Sequence, residues 1–431
     1  MRLMASMIVA ATALIFFNAE ACLAAPSAKL LADANSYTAK VDVSGAIAFN
    51  EDDGKPGFAT AFLIDKKRGW LLTNAHVVGR SPATIFVAFK GEKSTEASRI
   101  YVDSFMDIAI IAIPPEEIGA DRAEAALDCE TLPPAGLPIT VLGHPSGLEF
   151  TFTRGVVTGI RSDLLKELVE SDAATNPGNS GGPVISEVSG KVIAVTSQIY
   201  RPDKDEMVQI SMSVPSVHAC KIIDLLKSGI DPSYRQLPVA IADHDEHEIP
   251  IVGQVFVKES GLKIGDVILG IQGEADIRNY PDLVTQMRGK NEVELRIKRD
   301  GEKISLMEKL IPEPNLLNVK AINFSGLIIA KPWKLDRAEF SHEPLFVIND
   351  VLDIGSAVFS EADIGSGILA VDTMQFQSIQ ELYGYLKEVQ VGNEVEFLMK
   401  KISADPKFYR KYFVITLQKQ DMEWVDADLY Q

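Results

Sequence analysis

The sequence predicts a mainly β chain: a barrel- or sandwich-type unit followed by two related α+β modules. Three observations predict it. From about Val41 to Val214, short apolar or alternating segments follow one another, many separated by Gly, Pro, Asp or Ser, a density that suits a barrel or sandwich better than βαβ units. A helical stripe then closes this region. The remainder of the chain repeats itself once at roughly a hundred residues, which indicates a duplicated module and not a solenoid of shorter repeats. A length of 431 residues exceeds one ordinary core and calls for two to four domains.

Taken in order, the N-terminus has Arg2, an apolar run Met7–Phe17 and then "NAEACLAAP". A positive start, a short apolar stretch and small residues describe a secretory signal peptide over residues 1–24, cleaved after Ala21 or Ala24. The run is shorter than the roughly 20 apolar residues of a membrane span, and no later segment is long and apolar enough for one. Cleavage after Ala21 would expose Cys22 to lipidation, although Ala19-Glu20-Ala21 matches a lipoprotein site poorly. The expected strands are "FATAFLID", "GWLLTNAHVV", "TIFVAFK", "DIAIIAI", "PITVLGHP", "GVVTGI", "GGPVIS" and "KVIAVTSQ". In "PSVHACKIIDLLKSG", Val217, Ile222, Ile223, Leu225 and Leu226 cluster on one helical side and Gly229 ends it, as helix-stop signals require. "IDPSYRQLP" reads as a linker. Each later module runs glycine, apolar strand, turn, amphipathic helix, then the near-identical strands "NEVELRIK" and "NEVEFLMK". The helix stripes are Leu283, Val284 and Met287 in the first, and Leu382, Tyr385 and Leu386 in the second.

The composition, 46% hydrophobic and 24% charged with a formal charge of −18, is that of a globular protein. It argues against nucleic-acid binding, which needs a basic footprint, and against an anionic membrane surface. If Cys22 leaves with the signal, Cys129 and Cys220 remain. The sequence leaves both a disulfide and two buried thiols open. "DHDEHE" (Asp243–Glu248) has metal-binding side chains, but it reads as an acidic loop.

The chemistry concentrates at "NPGNSGGP", Asn176–Pro183. A serine hydroxyl is a weak nucleophile unless a base, a group orienting that base and donors for an oxyanion surround it. Glycines beside it let backbone N–H groups face a reacting carbonyl. Ser180 is thus the expected nucleophile, and the N–H groups of Gly178 and Ser180 the expected oxyanion hole. Among six histidines, His76 in "TNAHVV" is the expected base; His144, His218, His244, His247 and His342 read as turn, helix or solvated residues. Asp107, which opens the apolar "DIAIIAI", is the expected orienting carboxylate ahead of Asp103, which has no apolar run directly after it.

"TNAHVV", "DIAII" and "GNSGGP", in the order His, Asp, Ser, resemble the HtrA family of exported serine endoproteases. "VLGHPSGLEFTFTRGVVTGI" and "SDAATNPGNSGGP" are similar to its flanking segments. The resemblance implies a chymotrypsin-like protease domain of two β-barrels over residues 25–232, a first PDZ-like domain over 233–312 and a second over 313–431 with an acidic tail. It implies catalysis by His76, Asp107 and Ser180 with no metal or organic cofactor. A specificity pocket is based at Ala174 beside Thr175, with Thr196, Ser197 and Gln198 along its wall, and takes small or medium aliphatic residues. A carboxylate-holding loop is expected at Ser325, Gly326 and Leu327 in "FSGLII"; "YRQLPVAIA" in the first module has no glycine, and its proline removes a donor. The implied partners are unfolded polypeptides and C-terminal peptides, in a homotrimer or higher assembly in the periplasm. The chain departs from the family in its short "FNEDDGKPGFATAF" segment, which makes loop regulation doubtful, and in an insertion, "AKPWKLDRAEFSHEPLF". The alternative functions are a holdase-like chaperone or PDZ adaptor with a latent protease, and a signalling protease with one substrate.

Overall fold

The computed structural model describes residues 26–45, 57–79, 81, 83–162, 167–200, 210–242, 249–312, 320–331, 346–351, 366–400 and 412–426. The expected signal segment with Cys22, the "DHDEHE" stretch, most of the insertion after Ala330 and the last five residues lie outside the described residues, as does part of the short segment before Gly57.

The first barrel comprises β1 (Thr38–Gly45), β2 (Gly57–Asp65), β3 (Trp70–Thr73), β4 (Ala83–Phe89), β5 (Thr95–Asp103) and β6 (Ile108–Ala112), closed in the order β1-β2-β3-β6-β5-β4. Alternation sets the inward face, as period-2 side chains must: Ala83, Ile85, Val87 and Phe89 of β4 are buried. β5 lies outside the expected strands because three of its four inward positions are polar or half-polar. These are Arg99, Tyr101 and Asp103 beside Ala97. Helix α1 (Ala28–Tyr37), also unexpected, starts at Ser27, whose hydroxyl accepts from the Leu30 N–H at 3.1 Å. It buries Ala34 and Tyr37 against the barrel. A single-turn helix, α2 (Ala75–Val78), follows β3.

The second barrel comprises β7 (Pro138–Gly143), β8 (Thr151–Ser162), β9 (Glu167–Ser171), β10 (Pro183–Ser186), β11 (Val192–Tyr200) and β12 (Ile210–Pro215), closed in the order β10-β11-β12-β9-β8-β7. Helix α3 (Ser216–Lys227) follows, burying Ala219, Ile222 and Ile223. Cys129 and Cys220 form a disulfide with Cα atoms 5.7 Å apart, which resolves the alternative the sequence leaves open.

Beyond the barrels, β13 (Arg235–Gln236) precedes a five-stranded sheet of β14 (Val239–Ala242), β15 (Ile251–Val255), β16 (Val267–Ile271), β17 (Glu292–Arg299) and β18 (Glu302–Lys309), with α4 (Tyr280–Met287) between β16 and β17; β19 (Ile311–Pro312) pairs with β13. The last sheet has seven strands: β20 (Lys320–Phe324), β21 (Leu327–Ala330), β22 (Phe346–Val351), β23 (Gly367–Val371), β24 (Glu394–Lys400), β25 (Tyr412–Gln418) and β26 (Met422–Asp426), with α5 (Ile379–Glu388) after β23. Its order is β25-β24-β23-β22-β21-β20-β26. The repeat is visible in detail. Both helices are capped by a polar side chain that accepts from the N–H three residues on, Asn279 from Asp282 and Ser378 from Glu381, which satisfies an orphan helix donor.

Residues 230–238, expected as a linker, form a packed joint. The Phe105 and Tyr234 rings stack with centroids 4.4 Å apart, and Arg288 Nη1 donates to the Pro232 carbonyl at 2.6 Å. Arg288 also pairs with Asp103 at 2.5 Å, both side chains buried. Nearby, Glu167 of β9 receives His218 of α3, Arg278 and Asn279 within 2.7–3.1 Å.

Candidate active site

The turn that carries Ser180, the expected nucleophile, lies between β9 and β10, clasped from both barrels. The Thr60 N–H of β2 donates to the Ser180 carbonyl at 2.9 Å, and the Thr60 hydroxyl donates to the Gly178 carbonyl at 2.8 Å. Ser146 N–H donates to the Pro177 carbonyl at 2.8 Å, and Gly181 N–H to the Thr196 carbonyl at 2.8 Å. The glycines are required by space. A Cβ on Gly181 would lie 2.0 Å from the Thr60 carbonyl oxygen, and one on Gly178 2.2 Å from that of His144; φ is positive at both. With the carbonyls of the turn held from behind, no acceptor among the described residues takes the N–H of Gly178 or Ser180.

His76 projects from α2 and is half-exposed. Its Nδ1 lies 2.9 Å from both Asp107 carboxylate oxygens, and its own backbone N–H donates to Asp107 Oδ1 at 3.0 Å. Asp107 has a left-handed backbone, φ 55°, rare for a non-glycine residue. The Asn74 side chain holds that backbone by donating to the Asp107 carbonyl at 2.9 Å. Arg99, buried in β5, donates to the Val78 carbonyl and so fastens the end of α2. Burial works to raise the Asp107 carboxyl; the hydrogen bond and charge of His76, with the Ser197 hydroxyl, outweigh it and hold the group below its ordinary value.

The structure thus brings His76 and Asp107 together directly, and joins Ser180 to them through Ser197. Ser180 Oγ donates to the Ser197 carbonyl at 3.1 Å, while Ser197 Oγ donates to Asp107 Oδ2 at 2.5 Å. Among the described residues no hydrogen bond joins Ser180 Oγ to His76. Ser197, expected as pocket wall, therefore spends its hydroxyl on the carboxylate. Thr196 is buried with both backbone groups bonded to the Ser180 turn. Ala174 and Gln198 are exposed. The Thr175 hydroxyl lies 2.6 Å from Ser211 Oγ, which in turn donates to the Ala173 carbonyl, so its polarity is consumed within the chain.

His144 and His218, read from sequence as a turn and a helix residue, are both buried. The neighbouring Thr60 and the joint residue Glu167 also escaped the sequence reading, because their partners are far away along the chain.

The expected carboxylate-holding loop needs correction. Ser325 and Gly326 are the two central residues of the hairpin joining β20 to β21, with φ values of 52° and 86°, the signature of a tight hairpin turn. Ser325 N–H donates to the Asp421 carbonyl at 3.1 Å and Gly326 N–H to Asn323 Oδ1 at 2.9 Å. Leu327 pairs with Phe324 and Val351. The donors at 325 and 326 are taken, and β21 has a neighbouring strand on each side.

Residues 59–195 match the trypsin-like peptidase domain. A relative from Marinomonas sp. (strain MWYL1), a probable periplasmic serine endoprotease described as DegP-like, is 28% identical over 366 residues, covering 79% of this chain and 76% of the relative. Another so described, from Pseudomonas fluorescens, is 28% identical over 59% of this chain and 56% of its own length. The chain therefore spans about half of that relative. The fold is that of the HtrA-type protease AlgW solved with a tripeptide, with TM-score 0.53 and 22% identity over 67% of this chain and 99% of that one. The chain thus carries a trypsin-like peptidase domain and is similar to DegP-like serine endoproteases. The turn at Ser180 falls inside the matched peptidase segment, as do His76 and Asp107.

Proposed function

We propose that the chain hydrolyses peptide bonds of unfolded or damaged envelope proteins with Ser180 as nucleophile, and that its domains run 25–232 (protease), 233–312 and 313–431 (PDZ-like). Ser180 Oγ attacks the carbonyl carbon while His76 Nε2 takes its proton and later returns it to the leaving amine. Asp107 keeps His76 protonated on Nδ1 and stabilises the imidazolium. The N–H groups of Gly178 and Ser180 receive the developing oxyanion. The observation that carries this reading is the convergence on one carboxylate: the His76 ring, the His76 N–H and the Ser197 hydroxyl all bond Asp107 beside a turn whose Gly178 and Ser180 N–H groups have no acceptor among the described residues. The consumed Thr175 hydroxyl favours small or medium aliphatic residues at the cleavage site.

The edge of β14, which among the described residues pairs with β15 alone, is the favoured place for an extended peptide to add as a strand. The expected leader and the relative named periplasmic favour an exported chain acting in the periplasm, with Cys22 lipidation as a minor variant and a homotrimer or larger assembly as the working form. Casein or a fluorogenic peptide tests the reading: wild-type turnover should fall by about 10³-fold or more in Ser180→Ala, and equal turnover in both would reject it. A latent enzyme with holdase activity is the second reading. The Ser180 hydroxyl turned onto Ser197 favours it, and suppression of aggregation equally by wild type and Ser180→Ala, with little cleavage, would establish it.

A further inference from the structure

A fully buried histidine stands behind the nucleophile turn. His144 follows β7 directly, has no exposed surface, and meets the Phe150 ring edge-to-face at 4.6 Å. Its Nδ1 lies 2.9 Å from Thr60 Oγ1, itself fully buried, and its backbone N–H donates to the Gly178 carbonyl at 3.3 Å. Its Nε2 is buried without a partner among the described residues.

The proton count fixes the direction of these bonds. A hydroxyl donates once, and the Gly178 carbonyl can only accept. The Thr60 proton therefore goes to Gly178, at 2.8 Å, and the imidazole must donate from Nδ1 to Thr60. The unpartnered Nε2 is then a bare lone pair, which is less costly to bury than an unmade N–H beside a lost carbonyl bond. Burial first, then the nearby Lys40 charge, pushes this imidazole down to about 4, so it carries one proton at neutral pH and the chosen tautomer is the working form.

We infer that His144, acting through Thr60, is a positioning residue that fixes the peptide plane after Gly178 and so, with Ser146 holding the plane before it, keeps the Gly178 N–H in place. The inference rests on the assignment of Ser180 as nucleophile. Three donors act together on this short stretch. The relayed Thr60 hydroxyl and the His144 N–H hold the Gly178 carbonyl, and Ser146, two residues after His144, holds the Pro177 carbonyl. A trans peptide has its N–H opposite its carbonyl. Pinning Pro177 C=O toward the 144–147 loop therefore aims the Gly178 N–H the other way. Gly178, at φ +103°, has the conformational freedom to flip if these anchors are lost.

The test uses the full chain with a fluorogenic peptide carrying an aliphatic cleavage-site residue, and a fluorophosphonate that labels the active serine. His144→Phe keeps an aromatic ring against Phe150 but cannot donate; Thr60→Val keeps the shape and removes the hydroxyl. Each should lower kcat by about tenfold or more, since one lost oxyanion donor costs about 10²–10³-fold. KM should stay within about twofold, and labelling of Ser180 should slow in step. His144→Asn and Thr60→Ser, which restore a donor and a hydroxyl, should recover to within about threefold of wild type. A folded Thr60→Val variant with wild-type kcat would overturn the inference, as would His144→Asn no better than His144→Phe. Should His144→Phe fail to fold, the Thr60 pair decides alone. Wild-type protein without Ser180-dependent labelling would instead defeat the nucleophile assignment itself, and the inference with it.

Discussion

Ser197 serves two partners with two different atoms: its carbonyl receives the Ser180 hydroxyl and its own hydroxyl goes to Asp107. Ser197→Ala keeps the first contact and removes the second. One charge-assisted hydrogen bond is worth about 1.5 kcal/mol or more, so kcat should fall about tenfold with KM nearly unchanged, as steady-state kinetics on a short peptide would show. An unchanged kcat would mean that His76 alone orients the carboxylate. The sequence singled out Ser180, His76 and Asp107 because each sits in a short motif of unusual composition. It gave Ser197 a place on the pocket wall and missed its bond to Asp107, because the hydroxyl's partner lies 90 residues away. It passed over His144 because nothing local distinguishes a buried imidazole from a turn residue.

At the level of strands, the two repeated modules differ at one edge. Among the described residues β14 is a free edge, whereas the corresponding β21 is covered by β20, which is itself covered by β26. Backbone groups already in a ladder cannot accept another strand. Hydrogen–deuterium exchange with a peptide ending in an apolar residue should therefore slow at Val239–Ala242 and leave Leu327–Ala330 unaffected. Protection on β21 instead would return peptide capture to the second module. The residues do contain the signal for the covered edge: "NFSGL" has a Ser-Gly pair between apolar runs, which marks a tight hairpin. Reading it as a carboxylate loop required the strand before it to lie elsewhere, a question of pairing that composition does not decide. β5 was hidden for a comparable reason. Its inward Arg99 and Asp103 break the apolar alternation, and their compensation comes from the Val78 and Ser81 carbonyls and from Arg288.

Across the whole molecule, buried ionic contacts join the second barrel to the first module. Burial works to raise Glu167, but the bonds and charges of His218 and Arg278, with Asn279, hold it below its ordinary value. A carboxyl depressed in the folded state stabilises fully above its unfolded pKa, about 4.3, and that contribution is lost as pH falls through the folded value. Thermal melts from pH 7 to 3 should show a Tm that drops below about pH 4.3. Glu167→Gln should melt lower at pH 7 and lose part of that acid dependence; a parallel pH profile in the variant would show that other carboxyls govern it. The duplicated modules and the closing helix were legible from periodicity. This joint was not, because Phe105, Tyr234 and Arg288 meet only after three separate segments have folded. One further tie reaches across the chain. The bond between Cys129 and Cys220, 91 residues apart, closes a ring that includes all of β7–β12 and Ser180. Closing a ring of that size removes roughly 4–5 kcal/mol of freedom from the unfolded chain, and only where thiols oxidise. A copy whose two thiols stay reduced lacks that reinforcement, so the second barrel and its Ser180 turn resist unfolding less before the bond forms than after.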